Sequence, residues 1–151
     1  MSRKPPVSRR RALQMAAGLA GLEPWLARGV LAGSEMPPAT LHRLKEMRWQ
    51  PLQSDFFPPG LKVKALYADK VKNTSLSVVR YPKGYHEPRH YHKGCGHWIY
   101  YLSGKLTDPA QSYTPGTFTY APPLNVHGPF TAEQESDVLF FVDGTFDVFG
   151  A

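Results

Sequence analysis

The sequence predicts an all-β fold, an antiparallel sandwich or barrel, on three observations. The 151 residues include 15 Pro and 13 Gly, too many chain breakers for a helical bundle and well suited to a turn-rich β protein. From Leu61 onward, short segments alternate apolar and polar side chains, the period of two that marks a half-buried strand. Turn chemistry separates these segments at Asn73, Gly84, Gly104, Pro115-Gly116, Pro122-Pro123 and Asp143-Gly144. An apolar share of 42% supports a real core, and the length suits one domain.

Residues 33–60, with Pro37-Pro38, Pro51 and Pro58-Pro59-Gly60, read as an N-terminal extension. One or two helical turns are expected over 40–47, with Thr40 as N-cap. The β domain is placed at 61–151. Its first strand, 61–67, puts Leu61, Val63 and Ala65 on one face and Lys62 and Lys64 on the other. Residues 74–81 (TSLSVVRY) alternate similarly, and further strands are expected at 98–102, 117–121, 136–142 and 145–149. Glu133, Glu135 and Asp137 read as a solvated turn leading into the last hairpin.

The formal net charge of +6 is unevenly placed. Residues 1–32 hold Arg3, Lys4, Arg9, Arg10, Arg11 and Arg28 against Glu23, a net of +5, which leaves +1 for the remainder. The apolar run Ala12 to Leu22 follows the bases and is too short for a hydrocarbon core that needs about 20 residues. A basic stretch, a short apolar stretch and a small-residue exit before Gly33 describe a signal peptide over 1–32. Ser8-Arg9-Arg10-Arg11-Ala12-Leu13 resembles the twin-arginine export motif, with Ala12 in place of its aromatic residue and Gln14 in place of its lysine. The resemblance implies the export machinery as a partner, a periplasmic or secreted destination, and no stable membrane anchor after cleavage. No aromatic residues interleave with the arginines, so nucleic acid is not expected as a partner. The single cysteine, Cys95, excludes an internal disulfide and a CxxC zinc ribbon, and reads as a bystander loop thiol.

Chemistry concentrates in the histidines. His90 and His92 are two apart, which places them on one face of a strand, about 6.6 Å apart along it. Two imidazoles so placed can converge on one metal. His97 follows a Lys93-Gly94-Cys95-Gly96 turn, so an adjacent strand can bring it alongside, and His127 comes from a distant strand. His42 and His86 read as ordinary exposed histidines. Counting from His97, Ile99 and Tyr101 face the same way, and Trp98, Tyr100 and Leu102 the other. Tyr101 and Tyr120 are the candidate catalytic side chains, with packing as core aromatics the competing role.

The spacing resembles the two motifs of the cupin family. Gly84, five residues, His90-Tyr91-His92, four residues, His97, six residues and Gly104 follow G-x5-H-x-H-x3,4-E-x6-G, with His97 in place of the glutamate. Gly116, Pro122 and His127 follow G-x5-P-x-G-x2-H-x3-N, with Leu124 in place of the glycine and Thr131 of the asparagine. The resemblance implies a small β-barrel jelly roll holding one divalent metal through His90, His92, His97 and His127. His97 has an alternative role, orienting substrate or water without touching the ion. The pattern is closest to cupin dioxygenases that cleave β-diketones or hydroxylated aryl ketones with iron(II), and also to the cupins of zinc anti-sigma factors. It implies a small-molecule substrate and a homodimer.

Neutral imidazoles would leave the ion its full +2 charge, which favours anionic or enolisable substrates. Iron(II) leads, with zinc, manganese, nickel and copper open to the same donors. A non-catalytic metal- or ligand-sensing module is the competing reading, and a metal-assisted isomerase a third.

Overall fold

The computed structural model describes residues 39–151; the signal peptide expected at 1–32 lies outside them. Twelve strands and no helix occur among the described residues. A six-stranded antiparallel sheet runs in the order β1 (Gln50–Pro51), β2 (Lys62–Asp69), β3 (Thr74–Tyr81), β11 (Ser136–Gly144), β6 (Cys95–Ser103), β9 (Phe118–Ala121). A four-stranded sheet holds β4 (His86–Glu87), β10 (Phe130–Ala132), β7 (Leu106–Thr107) and β8 (Ser112–Tyr113), and β12 (Phe149–Gly150) pairs with β5 (His90–Tyr91). The antiparallel β class expected from the alternation is therefore the one observed.

The core lies between the two larger sheets. Val79, Val138 and Tyr101 align across β3, β11 and β6 and meet Leu106, Tyr113 and Ala132 of the smaller sheet. All six are buried, and side chains the size of valine contribute about 1.5–3 kcal/mol each when fully buried. Gly104 ends β6 at φ +77°, where an added Cβ would collide with the Glu135 carbonyl and Ser136. Only glycine fits there.

Four expectations are corrected. The chain over 40–47 makes one turn, within the one or two expected, closed by Glu46 N–H and Met47 N–H donating to the Arg43 carbonyl at 2.9 and 3.3 Å, but Thr40 does not cap it. The Leu44 carbonyl, which a second turn would need for Arg48, instead accepts from Lys64 Nζ at 2.5 Å. That contact also reverses part of the β2 alternation. Lys64 is buried against the Trp49 ring, while Ala65, beside a bulge, is exposed.

The expected strand at 145–149 is largely absent, because β11 runs on through Gly144 and residues 145–148 are irregular. Their polar groups serve the neighbouring loop. Asp147 accepts from the Lys93 and Gly94 N–H groups with its carboxylate, and from His92 Nδ1 with its carbonyl. The domain also begins before residue 61. β1 pairs with β2, Leu52 and Phe57 pack on the core, and Phe57 lies 5.0 Å from the His90 ring. The acidic run is ion-paired, with Asp137 taking two bonds of 2.7 Å from Arg80, and Glu135 and Glu133 pairing with Arg80 and Lys105.

Candidate metal centre

A backbone bridge joins the two histidine segments. His90 N–H donates to the His127 carbonyl at 3.0 Å, and His127 N–H to the His90 carbonyl at 2.9 Å. His92 follows on the same face, and its carbonyl accepts from Leu124 N–H at 2.7 Å. Leu124, where the motif has glycine, takes a left-handed φ of +67°. His97 enters from β6, opposite Ala121 and Val142. Thus the structure brings His90, His92, His97 and His127 together, with ring centroids 4.2–5.3 Å apart for the pairs in contact. A phenyl ring backs three of them: Phe57 on His90, Phe146 on His92 and Phe140 on His97.

Hydrogen bonding sets the tautomers. His90 Nδ1 meets the Pro88 carbonyl at 2.9 Å, His127 Nδ1 the Asn125 carbonyl at 2.9 Å, and His92 Nδ1 the Asp147 carbonyl. A carbonyl can only accept, so each Nδ1 carries the proton and each neutral ring presents Nε2 as a lone pair. Burial keeps the rings neutral. It pushes His90 down to about 4 and His97 to about 3, and lowers His92 and His127 as well. His90 Nε2 and His127 Nε2 then face one another at 3.0 Å with no proton to share.

Such facing lone pairs suit a cation between them. Donor atoms of His90, His92 and His127 lie within 4.8 Å of one another. The Nδ1-to-carbonyl bonds orient the rings as metal-bound histidines are usually oriented. His97 stands beside this group of three rather than within it, and its Nδ1 is the one buried side-chain polar atom without a partner among the described residues. These donors fit a divalent transition metal.

The histidines open onto a cavity of about 540 Å³. Ile99 and Tyr101 line it, as alternation from His97 requires, with Val79, Leu106, Phe130 and Phe140. Tyr101 is buried, and its hydroxyl is held close to neutral by desolvation. Tyr120 is placed differently from the expectation. It borders the cavity, but it pairs with Trp98, stacks on that ring at 4.7 Å and is 50% exposed. Register explains this, since facing the outward Trp98 turns Tyr120 outward and leaves Thr119 and Ala121 inward. His86 is exposed as expected, at 3.2 Å from Thr131 Oγ1, and His42 is exposed too. Cys95 is not a loop thiol: it opens β6, is 1% exposed, and burial pushes its thiol up.

Sequence reasoning missed Glu87. It is 5% exposed and borders the cavity, with Oε1 3.8 Å from His90 Nε2. Burial pushes the carboxyl up to about 7, opposed by a hydrogen bond from Tyr81. Parity within Tyr85-His86-Glu87 was readable, but the Pro88-Arg89 break between β4 and β5 hid its phase relative to His90. Asp147 was missed for another reason, as it lay in an expected strand.

Comparisons with known proteins agree with this fold. The acetylacetone dioxygenase of Acinetobacter johnsonii superposes with a TM-score of 0.61 at 14% identity, over 76% of this chain and 80% of that one. A cupin-like protein of Thermotoga maritima gives 0.55 at 24% identity, over 70% and 86%. A predicted oxalate decarboxylase of the same organism gives 0.56 at 13%, over 69% and 98%. At these identities the likeness is one of fold. No curated protein matches the sequence. The family model of the ChrR cupin-like domain matches residues 38–147, nearly three-quarters of the protein, and the chain belongs to that family.

Proposed function

We propose that this cupin is a metal-dependent dioxygenase acting on a small, enolisable, largely apolar molecule. The observation that carries the reading is the convergence of neutral, lone-pair-bearing imidazoles at the wall of an apolar cavity. His90, His92 and His127 hold the ion, and His97, with its unpartnered buried nitrogen, completes the set. Iron(II) is the metal proposed, and when bound it supplies Lewis acidity toward the substrate's oxygens and electrons toward dioxygen.

The chain's own residues bind, orient and exclude water. Phe57, Phe140 and Phe146 keep the imidazoles dry and fixed. Ile99, Leu106 and Phe130 offer an apolar wall to the substrate body, and Tyr101 a neutral hydroxyl. No Lys or Arg borders the cavity among the described residues. A dicarboxylate would therefore find no side-chain cation, whereas an enolate needs none beyond the metal. Export through the leader belongs to the same proposal, since a twin-arginine route carries proteins already folded around their metal.

Anaerobic loading with iron(II), followed by oxygen-consumption measurements against β-diketones and hydroxyacetophenones, tests the reading. Consumption of one oxygen per substrate cleaved is expected. Stoichiometric iron binding with no turnover across that panel would replace the enzyme with a sensing or storage module.

A further inference from the structure

We propose that Glu87 is the anionic partner of the metal centre, supplying from β4 a negative charge that four histidines cannot supply. The inference rests on the metal-centre reading above and adds a residue to it.

A carboxylate withdrawn from water needs a cation or several donors. Glu87 is 5% exposed and has one neutral donor, the Tyr81 hydroxyl. Its one charge-capable neighbour within 4 Å among the described residues is His90, at 3.8 Å, and that ring already donates its Nδ1 proton to Pro88 and presents a lone pair. Arg80 is taken by Asp137 and Glu135, Lys105 by Glu133, and Lys64 by the Leu44 carbonyl and the Trp49 ring. The cavity wall contributes no Lys or Arg among the described residues. A cation held by the histidines is therefore what this carboxylate lacks, and the carboxylate is what an all-imidazole set lacks.

The consequence is a change in the charge of the centre. Four neutral imidazoles alone would leave a divalent ion at +2, whereas with Glu87 the centre carries +1. A singly charged enolate then neutralises it, and a dianion overshoots. Glu87 thus restricts the ligand class as well as strengthening metal retention.

The test uses cobalt(II) as probe, on the wild-type protein, Glu87→Gln and Glu87→Asp. Competition against a chromophoric chelator gives affinity, the visible cobalt spectrum reports the surroundings of the ion, and thermal melting of the metal-free proteins reports folding. The wild type is expected to bind one equivalent. Glu87→Gln should bind 10- to 100-fold more weakly, with a shifted spectrum, the range found when groups supporting a metal site are removed. Glu87→Asp, which keeps the charge, should recover part of the loss. The metal-free Glu87→Gln protein should melt no lower than the wild type, because it no longer buries an unpaired carboxylate. Equal affinity and an unchanged spectrum in Glu87→Gln would overturn the role of Glu87 while leaving the centre intact. Failure of the wild type to bind cobalt would overturn the centre itself.

Discussion

The histidine wall and the tyrosine wall of the cavity are held in different ways. His90 and His127 each donate Nδ1–H to the carbonyl two residues back, at Pro88 and Asn125. Those two bonds are local, and a few residues of sequence carry them, whereas His92 is held from farther off by the Asp147 carbonyl. The tyrosines reach much further. Tyr81 meets Glu87 from another sheet, Tyr101 stacks on Tyr113 at 5.1 Å, and Tyr85, packed against Tyr81 outside the cavity lining, donates its hydroxyl to Pro58, 27 residues earlier. Burial keeps these phenols protonated, Tyr85 and Tyr113 at about 12. One wall is a set of lone pairs that suits a cation; the other is a neutral packed surface with hydroxyls.

Substitutions on the two walls should separate metal retention from packing. His92→Ala removes a donor and the Asp147 bond together, so metal affinity should fall by at least about 100-fold, beyond the loss typical of a supporting group. Tyr101→Phe should leave metal stoichiometry unchanged and cost about 1 kcal/mol in urea unfolding for its lost hydrogen bond to Thr119. Turnover that falls in Tyr101→Phe at full metal occupancy would assign its hydroxyl to the substrate. Metal loss of similar size in both variants would erase the distinction between the walls.

Acid should act on the histidines and on Glu87 with opposite sign. The buried histidines have folded values below the ordinary 6.5, about 4 for His90 and about 3 for His97. As pH falls below 6.5, the unfolded chain takes up protons that the folded chain refuses. The metal-free protein therefore loses stability down to about pH 3, with a limiting slope of about 1.4 kcal/mol per pH unit for each histidine. Glu87, raised to about 7 from 4.5, contributes the reverse. Its stabilisation is full below 4.5 and is lost as pH rises to 7. Several histidines outweigh one carboxyl, so urea midpoints of metal-free protein should decline from pH 6.5 to 4. Flat midpoints over that range would mean that the imidazoles are hydrated rather than buried.

What was legible in the sequence follows the same division. The two-residue step from His90 to His92, the glycines bracketing them and the alternation through β6 are local patterns, and they located the histidines and the inward Tyr101. Glu87 was hidden because its burial depends on Tyr81 across the fold and on a break in strand phase at Pro88-Arg89. Tyr120 was misplaced because the register of β9 against β6 sets its facing, and register is a long-range property. Asp147 looked like part of a last strand, yet the Lys93–Gly94 turn offers N–H groups that outcompete a ladder. The start of the domain was drawn late because β1 has only two residues, one of them Pro51.

The smallest effect expected lies where the sequence departs from the family pattern most visibly. Leu124 holds φ +67°, a conformation that costs a residue with a Cβ about 1–2 kcal/mol. Its side chain is 64% exposed, so little packing offsets that cost. What keeps it there is the 2.7 Å bond from its N–H to the His92 carbonyl, which ties this loop to the HxH segment. Leu124→Gly relieves the strain and loses about 0.5–1 kcal/mol of it to the greater freedom of glycine in the unfolded chain. A net gain of about 0.5 kcal/mol in urea unfolding is expected, with metal affinity unchanged because the backbone bond to His92 survives. A destabilised Leu124→Gly would show that the exposed leucine is packed in solution, as it would be if a second copy of the chain covered it.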